Sequence, residues 1–341
     1  GLISLHSASY TPNMTVNKNY ALIQFSWLLF ALGVFFLVVK VGYERWIDLG
    51  YLFFGINIFL LILVLLLGDV RLGSKRWIDL GIINFQPSEL CKITFILALV
   101  KYIELRRYKL DKFSDVAFPF LMALIPMFLI IKQPDLGTAV TFLPILFVIL
   151  FIVGVKFRYL LLPVIAGIFS APLLWLVLKP YQKVRILVFL DPNRDPLGAG
   201  YTVIQSKIAI GSGGLSGKGW MSGTQNLLNF LPERHTDFIF SVIGEEWGFI
   251  GALIVIILFA VIFIRLFNIA MSTSDLKARL LVIGATTFLL FQVVVNISMS
   301  IGLMPVVGLP LPFVSYGGSS LLTTMFLLGL AMSVALKRKV F

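Results

Sequence analysis

A run of ionisable side chains, Glu233-Arg234-His235-Thr236-Asp237, stands directly before a stretch that is apolar from Phe238 onward for about one bilayer thickness. Ionisable groups at the mouth of a membrane helix are costly, and their default reading is functional. Asp237 is the last of them, at the boundary between water and lipid. An ionised carboxylate only accepts hydrogen bonds, which suits it to take a proton from a hydroxyl. At that depth the hydroxyl would belong to a molecule that is half lipid and half polar.

Four further segments carry candidate chemistry. Lys75-Arg76-Trp77 precedes Gln86-Pro87-Ser88-Glu89, with Lys92 three residues after Glu89 and so on the same helix face. Either Ser88 caps that helix or Pro87 takes its first position. Lys132-Gln133-Pro134-Asp135 is a proline break between two apolar runs. The uncharged segment Pro312 to Ser320, with Ser315 at its centre, precedes the last apolar run. Each also has a plainer explanation. Glu89 and Lys92 make a buried ion pair that fixes helix register. Asp135 caps the next helix or pairs with Lys132. Asp237 is an anion favoured by a helix N-terminus. Lys218 and Arg234 are solvated loop residues, and Glu245 and Glu246 are structural hydrogen-bonding groups facing a bundle interior. The convergence of carboxylates and cations on one membrane face favours a site.

The elements that must position these residues are membrane helices. Of the 341 residues 59% are hydrophobic and only 13% charged, against roughly 25% in a soluble domain, and mean hydropathy is +0.99. Apolar spans are readable at 20–41, 47–68, 87–103, 116–131, 137–154, 159–178, 238–264, 280–303 and 319–336. Residues 1–9 read as the tail of a tenth helix, truncated at its start. The pattern predicts one polytopic domain over 1–341. Lys40, Arg45, Lys101, Arg106, Arg107, Lys109, Lys112, Lys156, Arg158, Arg265, Lys277, Arg279, Lys337, Arg338 and Lys339 fall on one side. Only Lys18, Arg71, Lys75, Arg76 and Lys132 occupy short segments on the other. The richer side is cytoplasmic by the positive-inside rule, where these residues act as topology anchors. The segment 179–236 is then a large extracytoplasmic loop. Within it Tyr181–Leu190 and Tyr201–Ile210 are amphipathic, as interfacial segments are. The glycine-rich stretch 211–219 permits close backbone approach or positive φ.

Other classes are excluded. One cysteine, Cys91, allows no disulfide framework, and two separated histidines argue against zinc. The net charge of +12 suits contact with anionic membrane lipids, and its scatter over short loops excludes nucleic acid.

The chain resembles the SEDS family (shape, elongation, division and sporulation) of peptidoglycan glycosyltransferases. The resemblance rests on Gly73-Ser74-Lys75-Arg76-Trp77-Ile78, Gln86-Pro87-Ser88-Glu89 with Lys92, Lys132 to Ala139, Gly200-Tyr201, Leu231 to Phe240, Gly244-Glu245-Glu246 and Pro312 to Ser320. Arg234 before His235 leans toward the RodA branch over the FtsW branch. The resemblance implies an all-α integral membrane bundle of ten helices in the bacterial cytoplasmic membrane, with its active site outside. It implies polymerisation of lipid II during cell elongation and cell-shape maintenance, with Asp237 as the essential catalytic residue. It implies that Arg76, Trp77, Glu89, Lys92 and Asp135 are functionally sensitive, and that a class B penicillin-binding protein is the partner.

The expected reaction is one inverting displacement, with Asp237 as base. Lys75, Arg76, Lys92, Arg185, Lys218 and Arg234 are candidates to hold pyrophosphate. A divalent cation, Mg or Mn, can share that task with Asp237 or Glu233. Two alternatives remain at the level of sequence: a lipid II flippase, which needs charges near the midplane, and a non-catalytic scaffold for the penicillin-binding protein, which has no need of Asp237.

Overall fold

The computed structural model describes residues 1–10, 19–71, 74–79, 84–178 and 180–337. It is helical apart from one small sheet. In chain order the elements begin with α1 Leu2–Ser9, α2 Tyr20–Val41, α3 Tyr43–Asp48 and α4 Gly50–Leu67. Strands β1 Asp69–Arg71, β2 Ser74–Asp79 and β3 Asn84–Phe85 follow, with β2 antiparallel to both neighbours. Next come α5 Pro87–Leu105, α6 Phe113–Lys132, α7 Leu136–Val140, α8 Phe142–Val153 and α9 Phe157–Val177. The segment expected as a loop holds α10 Pro180–Leu190, α11 Ala199–Ser212 and α12 Thr224–Leu227. The last three are α13 Ile239–Met271, α14 Leu276–Ser300 and α15 Gly318–Lys337.

Seven helical stretches among the described residues are long and apolar enough to cross a bilayer: α2, α4, α6, α7 with α8, α13, α14 and α15. The chain is a multi-pass membrane protein. Of the nine spans expected, 87–103 falls on α5 and 159–178 on α9. The helix α5 is more polar and is buried along most of its length. The sheet was not foreseen, because its strands are short and interrupted by glycine. Lys18 and Gly73 lie outside the described residues, and of Lys75 only the backbone is described.

The chain divides into two compact units. The first comprises Gly1–Leu28, Ile168–Ile262 and Gln292–Gly318; the second comprises Leu29–Gly167, Phe263–Phe291 and Ser319–Phe341. In the second, α5 is the centre. A Cβ added to Gly50 would lie 2.8 Å from the Leu97 carbonyl carbon, so a glycine is what lets α4 approach α5. Several basic residues near the helix ends of this unit are paired. Lys101 reaches Asp48 at 2.7 Å and Glu104 at 3.0 Å, and Lys277 reaches Glu104 at 3.0 Å. Lys337 pairs with Glu44, and Arg106 with Asp115 at 3.3 Å. These cations hold helix ends to one another.

In the first unit the decisive feature is a break in α13. Gly248 has φ 63° and ψ −160° inside a helix of 33 residues. A broken membrane helix leaves backbone groups without partners, and another part of the protein must supply them. Here the glycine-rich stretch does so. Phe249 N donates to Gly214 O at 2.9 Å and Ile250 N to Leu215 O at 3.1 Å. In return Lys218 N and Gly219 N donate to the carbonyls of Glu245 and Glu246, each at 3.0 Å. A Cβ on Gly213 would sit 1.9 Å from Gly244 O, and one on Gly217 2.1 Å from Glu246 O. Close backbone approach is therefore what these glycines supply.

Candidate active site

The residues before α13 form a tight turn. Thr236 N and Asp237 N both donate to Glu233 O, at 3.1 and 3.0 Å. Glu233 takes a left-handed φ of 49°, unusual for a residue with a side chain. The turn delivers Asp237 two residues before Ile239, where the positive end of the helix dipole favours an anion. Asp237 is half-buried and Glu233 exposed.

A second segment, 296–317, holds this turn from outside it. Tyr316 N donates to His235 O at 2.9 Å. Ser315 Oγ donates to Thr236 O, and Asn296 Nδ2 to Asp237 O at 3.0 Å. Three consecutive carbonyls are thus fixed by three donors from one stretch of chain. Asn296 Nδ2 also donates to Leu309 O at 2.7 Å, and Ser315 Oγ accepts from Leu311 N at 2.8 Å, which ties the holding segment to itself. Gln24 of α2 completes the arrangement. Its amide donates to Ser315 O at 3.3 Å and accepts from Gly317 N at 3.2 Å. Gly308, at φ 71°, lies against the Asp237 carboxylate, where an added Cβ would stand 3.4 Å from Oδ2. Ser315 therefore positions the turn with its hydroxyl.

Aromatic rings close one side. His235 stacks on Tyr20 with centroids 4.4 Å apart and an interplanar angle of 8°, and Tyr20 meets Tyr316 at 4.7 Å. Burial pushes the His235 imidazole below its ordinary 6.5; the Glu233 carboxylate opposes that shift and the Arg234 guanidinium adds to it. Burial also raises the Tyr316 phenol.

The cations of this unit sort by what they touch. Arg234 donates to Ala8 O at 2.7 Å and to Asn229 Oδ1, so it ties the turn to α1. Lys218 Nζ lies 2.9 Å from Glu245 Oε1, which also accepts from Thr224 Oγ1 at 3.1 Å and Gln225 N at 3.0 Å. Lys218 is thereby engaged with a structural carboxylate. The neighbouring Glu246 accepts from Ser7 Oγ, and from Asn226 Nδ2 at 3.4 Å. Arg185 is exposed, and its guanidinium donates to Val306 O at 3.4 Å. Val306 is two residues from Gly308, so Arg185 reaches the same piece of chain that borders Asp237. Lys207, also exposed, packs its stem on Gly302 of that piece. Sequence reasoning missed Lys207 and Asn296. Lys207 lies in an amphipathic segment with no motif. Asn296 is one of two amides in an apolar helix, four residues after Gln292, and no sequence motif marks it; its full burial is a property of the fold.

The second unit holds the other predicted residues. Arg76, in β2, donates to Gln133 O at 3.0 Å and to Pro134 O, and its guanidinium lies 3.8 Å from Asp135. Asp135 caps α7 through Thr138 N at 3.2 Å, and accepts from Thr138 Oγ1 at 3.0 Å. Of the two alternatives the cap is the one found, and the cation beside Asp135 is Arg76 and not Lys132. Trp77 is half-buried beside Arg76 in β2. Pro87 takes the first position of α5, so it starts the helix and Ser88 does not. Lys92 is fully buried, pairs with Glu89, and lies 4.8 Å from the Phe288 ring centroid. The pair on one face is as the spacing predicts.

Among the described residues no group of three His, Cys, Asp or Glu gathers to hold a metal ion. A divalent cation at Asp237 or Glu233 would take most of its ligands from substrate phosphate and water, as Mg commonly does.

The model of the FtsW/RodA/SpoVE family, described as cell cycle protein, matches residues 1–340. Among characterised proteins, the peptidoglycan glycosyltransferase MrdB of Escherichia coli (strain K12) is 42% identical, over 91% of this chain and 84% of its own length. The peptidoglycan glycosyltransferase RodA of Treponema pallidum (strain Nichols) is 34% identical, over 98% of this chain and 94% of its own. A solved chain from a peptidoglycan synthase complex that coordinates polymerization and crosslinking superposes with a TM-score of 0.83. It is 38% identical and covers 99% of this chain and 95% of that one. The crystal structure of the rod shape determining protein RodA of Thermus thermophilus gives 0.73 at 34% identity, covering 99% and 92%.

Proposed function

We propose, from the premise that this chain belongs to the FtsW/RodA/SpoVE family, that it is a peptidoglycan glycosyltransferase polymerising lipid II during cell elongation. The 4-hydroxyl of one lipid II sugar attacks C1 of a chain carried on undecaprenyl pyrophosphate. The new O4–C1 bond forms as the C1–O bond to phosphate breaks, and the pyrophosphate leaves with the electron pair. The α-linked donor becomes a β-1,4 product, so a single displacement suffices. Asp237 accepts the proton of the attacking hydroxyl. The observation that carries this role is the fixing of the carbonyls of His235, Thr236 and Asp237 by Tyr316, Ser315 and Asn296. A base held this way meets its substrate with little loss of orientational freedom.

Arg185 and Lys207 stand nearest in the chain's arrangement to a pyrophosphate role, because they are exposed and border the 302–308 piece. Arginine binds two phosphate oxygens at once, and lysine supplies a compact charge. Lys218, Arg234, Arg76 with Asp135, and Glu89 with Lys92 support the fold that presents the site.

A ten-span bundle is the reading we adopt beside the seven spans among the described residues, and the excess of basic residues on one side supports an Asp237 end and a 179–236 segment that face outside the cytoplasmic membrane. A class B penicillin-binding protein is the partner. The helix α13 supports docking of a partner's membrane helix: 11% of its most apolar window is buried, against 61% in α14. The test is purified protein with labelled lipid II, wild type beside Asp237→Asn, scored for glycan strands. Strands from wild type alone are expected. Equal strands from both would remove Asp237 as base, and none from wild type, with or without the cognate penicillin-binding protein, would remove the polymerase reading.

A further inference from the structure

We infer that the trough between α6 and α9 binds one anionic glycerophospholipid of the surrounding membrane. A cavity of about 710 Å³ lies between these helices, apolar except for Ser114 and Tyr159. Both polar residues belong to the first turn of their helices. The apolar lining then continues to Leu124 on α6 and Ala166 on α9. From Phe113 to Leu124 is a rise of about 16 Å at 1.5 Å per residue. That is close to half of the roughly 30 Å hydrocarbon thickness, the depth of one leaflet. An acyl chain entering at the helix starts would fit this slot lengthwise.

At its polar end the slot adjoins a second cavity of about 510 Å³, which shares Ser114 and Phe118 with the first and is lined by Arg106 and Tyr102. The Arg106 side chain is 52% exposed. Its guanidinium is held 5.5 Å from the Tyr102 ring centroid, and one nitrogen lies 3.3 Å from Asp115. A guanidinium has five N–H donors, so a pair of this kind leaves others to face a phosphodiester. The chain around this end is basic, with Arg107, Lys109, Lys112, Lys156 and Arg158 against Glu104, Asp111 and Asp115. The charge selects an anionic headgroup, and the adjoining slot selects a lipid over a soluble phosphate. None of these residues has a part in the polymerase reading, so the two stand or fall separately.

The full chain is purified into micelles carrying equimolar phosphatidylglycerol and phosphatidylcholine, and retained lipid is read by native mass spectrometry. Phosphatidylglycerol is expected to be retained over phosphatidylcholine by about fivefold, the effect of roughly one basic side chain near a charged lipid surface. Arg106→Gln should remove the preference and Arg106→Lys should keep most of it. Equal retention by the wild type overturns the proposal, as does a preference that survives Arg106→Gln. Because Arg106 also pairs with Asp115, a second measurement uses wild type alone. Phosphatidylglycerol with a photoreactive acyl chain, in phosphatidylcholine vesicles, should label 113–124 and 159–166, and excess unlabelled phosphatidylglycerol should compete. Labelling spread evenly over the apolar faces of α2 and α13 overturns the site.

Discussion

Asp237 and the Glu245–Glu246 pair are carboxylates of one unit, eight and nine residues apart in sequence, and they are held in opposite ways. At Asp237 the backbone is fixed by donors from 296–317, and the side chain stands half-buried beside Gly308. At Glu245 and Glu246 the side chains themselves are the fixtures. Each is nearly fully buried, and they gather Lys218, Thr224, Gln225, Ser7 and Asn226 around the broken helix. At Glu245 and Glu246 the side chains organise their neighbours; at Asp237 the neighbours organise the backbone and leave the carboxylate half-buried. The cost of burying an ionised group explains the arrangement at Glu245, since such a group persists only when paired and hydrogen-bonded, and Lys218 pairs with it.

The contrast can be broken by substitution. Asp237→Asn is nearly isosteric and should cut polymerisation at least 100-fold, about 2.7 kcal/mol of barrier, with the melting temperature unchanged. A variant above a tenth of wild-type activity would show that the carboxylate is not the base. Glu245→Ala should do the reverse. It removes the partner of Lys218 and the acceptor for Thr224 and Gln225, and should destabilise the protein by roughly 2–3 kcal/mol, read as earlier thermal unfolding in detergent. The protein that remains folded should turn over normally. Loss of turnover without loss of stability would move Glu245 into the site.

Smaller effects sharpen the same contrast. Asn296→Leu keeps the branched shape and the heavy-atom count but loses the donor shared by Asp237 O and Leu309 O. We expect about a tenfold fall in kcat, near 1.4 kcal/mol, with KM little changed, because the base is loosened and the substrate groove is not. A change confined to KM would assign Asn296 to binding. The smallest effect concerns pH. The His235 pKa lies below its ordinary 6.5 in the folded protein, so the unfolded chain takes up the proton first as pH falls. Its contribution is therefore fully present above pH 6.5 and lost as pH drops from there through the lower folded value. Melting temperatures between pH 8 and pH 5 should fall less for His235→Phe, which keeps a ring against Tyr20, than for wild type. Parallel curves would show that His235 titrates alike in both states.

Much of this was legible in the residues alone. Runs of about 20 apolar residues can satisfy their backbone in lipid only as helices, so the spans and their approximate ends follow from composition. The spacing of Glu89 and Lys92 placed them on one face, and a helix start at Pro87 or Ser88 was readable, because both are local consequences of helical geometry; the structure chose Pro87. Asp237 stood out as a candidate for the same reason: a charge beside a bilayer-length apolar run is conspicuous without any fold. What the tertiary structure decided is which distant groups meet. Nothing local pairs Lys218 with Glu245, sets Arg76 on 133–135, or folds the glycine-rich stretch onto the break at Gly248. Likewise Asn296, one of two amides in an apolar helix, becomes a fixture of the site only because 309 and 237 are brought to it. Local sequence sets backbone preference and burial; partners separated by tens to hundreds of residues are chosen by packing, which must give each buried polar group a partner.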